Sequence, residues 1–284
     1  MARGLEEIFM TRVDARANLI DVLARVVMQV GGEVKTVVQR RDRREPGRTE
    51  KEKAEDELSA LMRRYFTRQA ENIRVRLEVE YPIRKATVTI PPSWLQDDLF
   101  WEDPEFMADL IILLTQSAKG GVDLFRIETS LGIDFTGVNT DAAKWAREYA
   151  YDLIKGITET TRGAVSEAIT AFVETPGMTI GDTMGMLQSA AYSEIRARMI
   201  ATTEITRSYA QGNQLAGEAM KQEFPDVKVV KRWFTNNDDR VCDICGPLDG
   251  EEVEIDEKFS SGDDNPPAHV NCRCWTSTRT RIND

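Results

Sequence analysis

The chain is 284 residues long and carries 37 Lys and Arg against 48 Asp and Glu, a formal net charge of −11. That length has room for one large or two modest domains, and a hydrophobic share of 41% with 30% charged residues fits a globular chain better than a disordered one. The acidic balance argues against non-specific nucleic-acid binding by the whole surface, and the longest strongly apolar run, Leu110 to Leu114, falls far short of the roughly 20 residues of a membrane-spanning helix.

Leu5, Ile8, Phe9, Val13, Leu19, Leu23, Val26, Val27 and Val30 recur at helical spacing and predict an amphipathic helix ending near Gly31 and Gly32. Glu6 and Glu7 stand where a signal peptide would be basic and then apolar, so synthesis and folding in the cytosol are expected. Arg40 to Lys53, interrupted by Pro46 and Gly47, reads as a solvated charged linker. Asp42 and Glu45 interleave its cations, which weighs against the alternative that Arg40, Arg41, Arg43, Arg44 and Arg48 contact DNA phosphates. A second helix is expected from about Glu50 to Val75, deeply buried only in its later part at Leu58, Leu61, Met62, Tyr65 and Phe66. Arg76 to Glu80 and the β-branched Ala86 to Ile90 read as short strands, and Trp94 to Phe106 as an irregular connection.

Glu105 to Ser117 reads as a helix stopped by Gly120 and Gly121. From Asp141, the residues Ala142, Trp145, Ala146, Tyr149, Leu153, Ile157, Val165, Ala168, Ile169 and Phe172 follow one helical face, with Gly156 and Gly163 as points of bending. Pro176 and Gly177 end that helix, Thr179 with Asp182 resembles a capping box for a short helix through Ala190, and Ser193 caps the next. That helix, Glu194 to Gln222, carries Ile195, Met199, Ile205, Tyr209, Ala216 and Met220 on its stripe and closes at Phe224 and Pro225. Beyond it Lys228 to Thr235 is β-like, and Leu248 to Val253 reads as a turn entering a short strand. The expected fold class is α+β: a helix-rich body with few short strands and a small β-rich, zinc-stapled C-terminal tail. The expected divisions are 1–130 (helical with short strands), 131–226 (helical core) and 227–284 (β-rich tail).

All four cysteines and the single histidine fall in the tail, as Cys242, Cys245, His269, Cys272 and Cys274. In a reducing compartment such a cluster points to metal or redox chemistry before disulfides. A C-x2-C knuckle places two thiolates on one turn, His269-x2-Cys272 has the spacing of a second pair, and zinc takes four such ligands tetrahedrally. The expected ligands are Cys242, Cys245, His269 and Cys272, with Cys274 as the alternative fourth. A Cys242/Cys245 redox pair would leave the distal trio without a purpose. A filled shell has no place for a reactive water, so the expected zinc is structural, and Pro266 and Pro267 fix the approach of the chain to the histidine.

Arg198-Met-Ile-Ala-Thr-Thr-Glu204, then Trp233-Phe-Thr, Asp239-Arg240-Val-Cys242, Leu248-Asp-Gly250 and Pro266-Pro-Ala-His269-Val-Asn-Cys272-Arg-Cys274 occur in that order. Together they resemble the C-terminal domain of Mu F-like minor head proteins, the phage head morphogenesis family, over about Asp134 to Thr278. Thr202 and Val270 depart from the family, whose members often have Arg and Pro there, and residues 1–130 carry no such resemblance. The resemblance implies a minor capsid protein of a tailed bacteriophage, made in the host cytoplasm and placed inside the head near the portal. It implies action in head assembly, DNA packaging or ejection through contacts with portal or major capsid protein and packaged DNA, without a membrane or a small-molecule substrate. Arg198, Glu204, Trp233, Asp239 and Gly250 are then structural motif residues.

No catalytic residue is expected. Committing the sole histidine to metal leaves no Ser-His or Cys-His pair, and no phosphate-cradling glycine-rich motif is present. A helical Glu204 is more often paired with Arg207 or Arg198 than catalytic. The alternatives are a toxin-like or nucleic-acid-modifying enzyme using Arg198 and Glu204, and a DNA-binding accessory protein.

Overall fold

The computed structural model describes residues 45–81, 92–129, 135–236 and 238–282. The expected helix over Leu5 to Val30, the strand over Ala86 to Ile90, and Arg40, Arg41, Arg43 and Arg44 lie outside these residues. Six α-helices and three strands follow among the described residues: α1 (Arg48–Glu80), α2 (Asp98–Trp101), α3 (Pro104–Thr129), α4 (Thr136–Glu174), α5 (Ile180–Ala190), α6 (Glu194–Glu223), β1 (Val227–Phe234), β2 (Glu252–Glu254) and β3 (Trp275–Ile282). None of these helices is long and apolar enough to cross a membrane.

The expected strand over Arg76 to Glu80 is the end of α1. Leu77 falls one helical turn after Ile73 and both are fully buried, whereas Val79 is 69% exposed, which is the pattern of a helix face and not of a half-buried strand. The expected linker also ends sooner. Arg48 to Lys53 already belong to α1, and Lys51 is only 4% exposed, its ammonium 2.6 Å from Glu45. The connection over Trp94 to Phe106 is more regular than expected. It holds a 3-10 turn (Ser93–Gln96), α2 and the start of α3, with Asp97 and Asp103 accepting from the backbone N–H groups of Leu99 and Phe106.

The helix of Glu105 does not stop at Gly120 and Gly121; it runs on to Thr129 because those glycines serve a helix crossing and not a terminus. A Cβ at Gly121 would lie 2.0 Å from the carbonyl oxygen of Tyr209, and one at Gly212 would lie 1.8 Å from that of Ala118. Hence α3 and α6 approach backbone to backbone. The capping box of Thr179 and Asp182 and the Ser193 cap are present as expected.

Helix α6 is the axis of the body, with α1, α3 and α4 packed around it. Its buried positions are therefore not one apolar stripe. Ile195, expected on that stripe, is 73% exposed, while Thr202, Thr203, Glu204, Thr206, Ser208, Asn213 and Gln214 are buried. Small and polar side chains permit close packing on all sides and supply hydrogen bonds to each neighbour. The strands form one antiparallel sheet in the order β2-β1-β3, with Val230 opposite Glu254 and Arg279. It rests on α3 and α6 through β3 and on α6 through β1.

Candidate metal centre

The tail is built on Trp233. This side chain is fully buried and packs edge-on against Phe259, with ring centroids 5.0 Å apart, in a small core with Cys245, Leu248, Cys272 and Cys274. Gly250 closes the turn that returns the chain to β1. Its φ of +90° suits a residue without Cβ, and its N–H donates to the carbonyl of Trp233 at 2.9 Å.

Cys242 and Cys245 sit on the turn after β1. The N–H of Cys245 donates to Cys242 Sγ at 3.4 Å, and that of Gly246 to the Cys242 carbonyl at 2.9 Å. The second group arrives on the segment entering β3, and the five expected donors meet. His269 Nε2 lies 3.0 Å from Cys242 Sγ and 3.2 Å from Cys245 Sγ, and Cys245 Sγ lies 3.7 Å from Cys272 Sγ. Two overlapping triads share Cys245, one completed by Cys242 and His269 and the other by Cys272 and Cys274, each within 4.8 Å. Cys274 also lines a cavity of about 30 Å³ with Cys242, Cys245 and His269. Cys272 and Cys274 therefore both remain in reach of the fourth position.

These residues fit a tetrahedral thiolate–imidazole site. All four thiols are free, and a tetrahedron of metal–sulfur bonds near 2.3 Å has a sulfur–sulfur edge of about 3.8 Å, close to the 3.7 Å between Cys245 and Cys272. His269 Nδ1 faces the Val270 carbonyl at 2.8 Å. A carbonyl only accepts, so Nδ1 carries the proton and Nε2 presents its lone pair to the thiols, the orientation a metal-binding histidine needs. The thiols hold one another's protons: the Cys274 hydrogen bond pushes Cys272 down to about 5 and is returned by a rise in Cys274, while burial pushes Cys245 up to about 12. A divalent cation would let the ligating thiols ionise together and would tie the two segments into one unit.

Helix α6 receives this tail along one side. Asn271, in a left-handed conformation with φ 62°, donates its N–H to Thr203 Oγ1 at 2.8 Å, and Thr206 Oγ1 donates to the Cys272 carbonyl at 3.4 Å. Further along, Gln214 Nε2 donates to the Ile255 carbonyl at 2.6 Å, and Lys221 reaches Asp256 at 2.7 Å.

The remaining expected motif residues have separate partners. Glu204 is 7% exposed, accepts from the Tyr149 hydroxyl at 2.6 Å and lies 3.3 Å from Arg207 Nε; burial raises its pKa against both partners. Of the two expected cations it therefore takes Arg207. Arg198 faces α1 instead, pairing with Asp56 and lying 3.5 Å from Glu55. Asp239 is exposed, and its neighbour Asp238 makes the contact: Arg273 Nη1 and Nη2 donate to the two Asp238 carboxylate oxygens at 2.9 and 2.7 Å. Arg48 pairs with Glu52 at 2.7 Å.

Nothing in the sequence singles out Lys231. It lies on the face of β1 shared with Val229 and Trp233, is 1% exposed, and its ammonium donates to Gln214 Oε1 at 3.2 Å and the Asp264 carbonyl at 2.7 Å. Strand alternation places it inward, but a lysine in that register gives no hint of its neutral acceptors. Tyr149 was legible only as part of an apolar stripe, and nothing in the spacing marks its hydroxyl as the partner of Glu204.

No curated protein and no solved structure matches the chain. Residues 153–277, which run from within α4 through the Cys/His cluster into β3, match the family described as Phage Mu protein F like protein, so the C-terminal region of the chain is similar to that family.

Proposed function

We propose that the chain is a non-enzymatic minor capsid protein of a tailed bacteriophage, acting inside the head near the portal in head assembly, DNA packaging or ejection. One zinc ion staples its tail, and portal protein or major capsid protein is its partner, with packaged DNA as a further contact. The observation that carries this reading is that the matched residues 153–277 take in the second half of α4, all of α5 and α6, and the Cys/His tail docked on α6 as far as the start of β3. Several features favour a scaffold over an enzyme. The sole histidine stands among the thiols, and Arg198 and Glu204 point to different helices with partners of their own. The cavity at the thiols is about 30 Å³, and another between Glu45, Tyr209 and Trp275 is about 20 Å³. Such spaces hold a water or two, against several hundred Å³ for a small-molecule site; the larger space of about 490 Å³ is open to solvent along α1, lined by Ala60, Arg63, Arg64, Thr67 and Arg68, and includes neither the thiols nor Glu204.

The test is quantitative mass spectrometry of purified particles combined with protease protection. The expected result is a few copies per head relative to major capsid protein, resistant to protease in intact particles and cleaved once the heads are opened. Infectious particles that assemble normally without the protein would overturn the reading and favour an enzyme carried on the same domain.

A further inference from the structure

We propose that Asp238 and Arg273 are a positioning pair that sets the two halves of the Cys/His cluster against each other before metal binds; the inference rests on the metal reading above. The halves come from different segments, Cys242 and Cys245 on the turn after β1, and His269 to Cys274 on the approach to β3. Bonds within the first half fix its two cysteines relative to each other, through the N–H groups of Cys245 and Gly246 on Cys242. They leave open where that turn lies relative to the second half.

Asp238 and Arg273 span this gap. Arg273 stands between Cys272 and Cys274, and its guanidinium meets the carboxylate through two parallel bonds of 2.9 and 2.7 Å. The same carboxylate accepts from the Arg240 N–H at 3.1 Å, while the Asp238 carbonyl accepts from Val241 at 3.2 Å. One residue thus grips the second half and shapes the turn that delivers Cys242. The side chains are 25% and 32% exposed, and a two-bond fork of this kind fixes orientation as well as distance. Donors already held near their binding arrangement lose less freedom when the ion arrives, so the pair contributes to affinity without touching the ion.

The test is competition of the full chain for zinc against a chromophoric chelator of known affinity, using wild type, Asp238→Asn, Arg273→Gln and the double variant. Melting of each chain, loaded and metal-stripped, is followed by circular dichroism. Each single variant is expected to bind zinc about tenfold or more weakly, with the double no worse than either single because both remove one interaction. The stripped variants should melt only slightly below stripped wild type, as suits the loss of a partly exposed ion pair, with a clearly larger loss in the loaded state. Single variants with wild-type affinity, effects that add in full in the double, or equal losses in stripped and loaded melting would each overturn the positioning role. A wild type that takes up no zinc would overturn the metal reading and this inference together, whereas a wild type that loads beside variants that load equally well removes the inference alone.

Discussion

Gly212→Ala is expected to destabilise the chain, although alanine is the better helix former. A Cβ at Gly212 falls 1.8 Å from the Ala118 carbonyl oxygen, 2.8 Å from its carbonyl carbon and 3.1 Å from the Val122 nitrogen, all of them backbone of α3. Carbon and oxygen settle at about 3.3 Å or more, so α3 and α6 must part locally by roughly 1.5 Å. A gap of about 0.5–1 Å already forfeits a quarter to a half of each dispersion contact, and overpacking costs about 1–3 kcal/mol, sometimes more. The clash is with immovable backbone, which puts the cost at the upper end, and a helix-propensity gain of about 1 kcal/mol offsets part of it. The net loss is about 2 kcal/mol, or about 4–8 °C in Tm for a domain of this size. Gly163→Ala on α4, where an added Cβ meets nothing within 4 Å, keeps only the gain and should stabilise by up to about 1 kcal/mol. Urea unfolding followed by circular dichroism measures both. A Gly212→Ala chain as stable as wild type would refute the close crossing.

Two further outcomes follow from the site. Burial raises Glu204 above the ordinary 4.5, so its contribution to stability is fully present below that value and is lost as pH rises through its folded value. Glu204→Gln should therefore lose less stability than wild type as pH climbs toward neutrality, and parallel curves would refute the burial. Replacing Cys272 and Cys274 singly by serine, with thiolate-to-cobalt absorption as the readout, should abolish tight tetrahedral binding in one variant and spare the other. Loss in both would contradict a shell made of Cys242, Cys245, His269 and one further cysteine, and retention in both would contradict a single assigned fourth ligand.

The sequence made the tail more legible than the body. Five metal-type donors within one short stretch narrow the chemistry by themselves, and His269 and the four cysteines do come together. Caps were equally readable because Thr179, Asp182 and Ser193 act on backbone only three residues away. Contacts between distant segments were not. Gly120 and Gly121 read locally as a stop, and only the arrival of α6 shows what their missing side chains permit. The Leu77 and Val79 pair satisfied a strand pattern over five residues because the decisive neighbour, Ile73, lies one turn earlier. Asp238 and Asp239 are adjacent, and nothing short of the position of Arg273 tells which one pairs.

The most direct test of the metal-stapled tail is elemental analysis of the purified chain together with thiol titration under native conditions. One equivalent of zinc per chain is expected, with the ligating thiols unreactive until a chelator is added. After chelation the hydrogen-exchange protection of the Cys242 to Cys274 segment should fall while that of α3 and α4 persists. Less than about half an equivalent of metal, with all four thiols of Cys242, Cys245, Cys272 and Cys274 titrating at once, would contradict the staple.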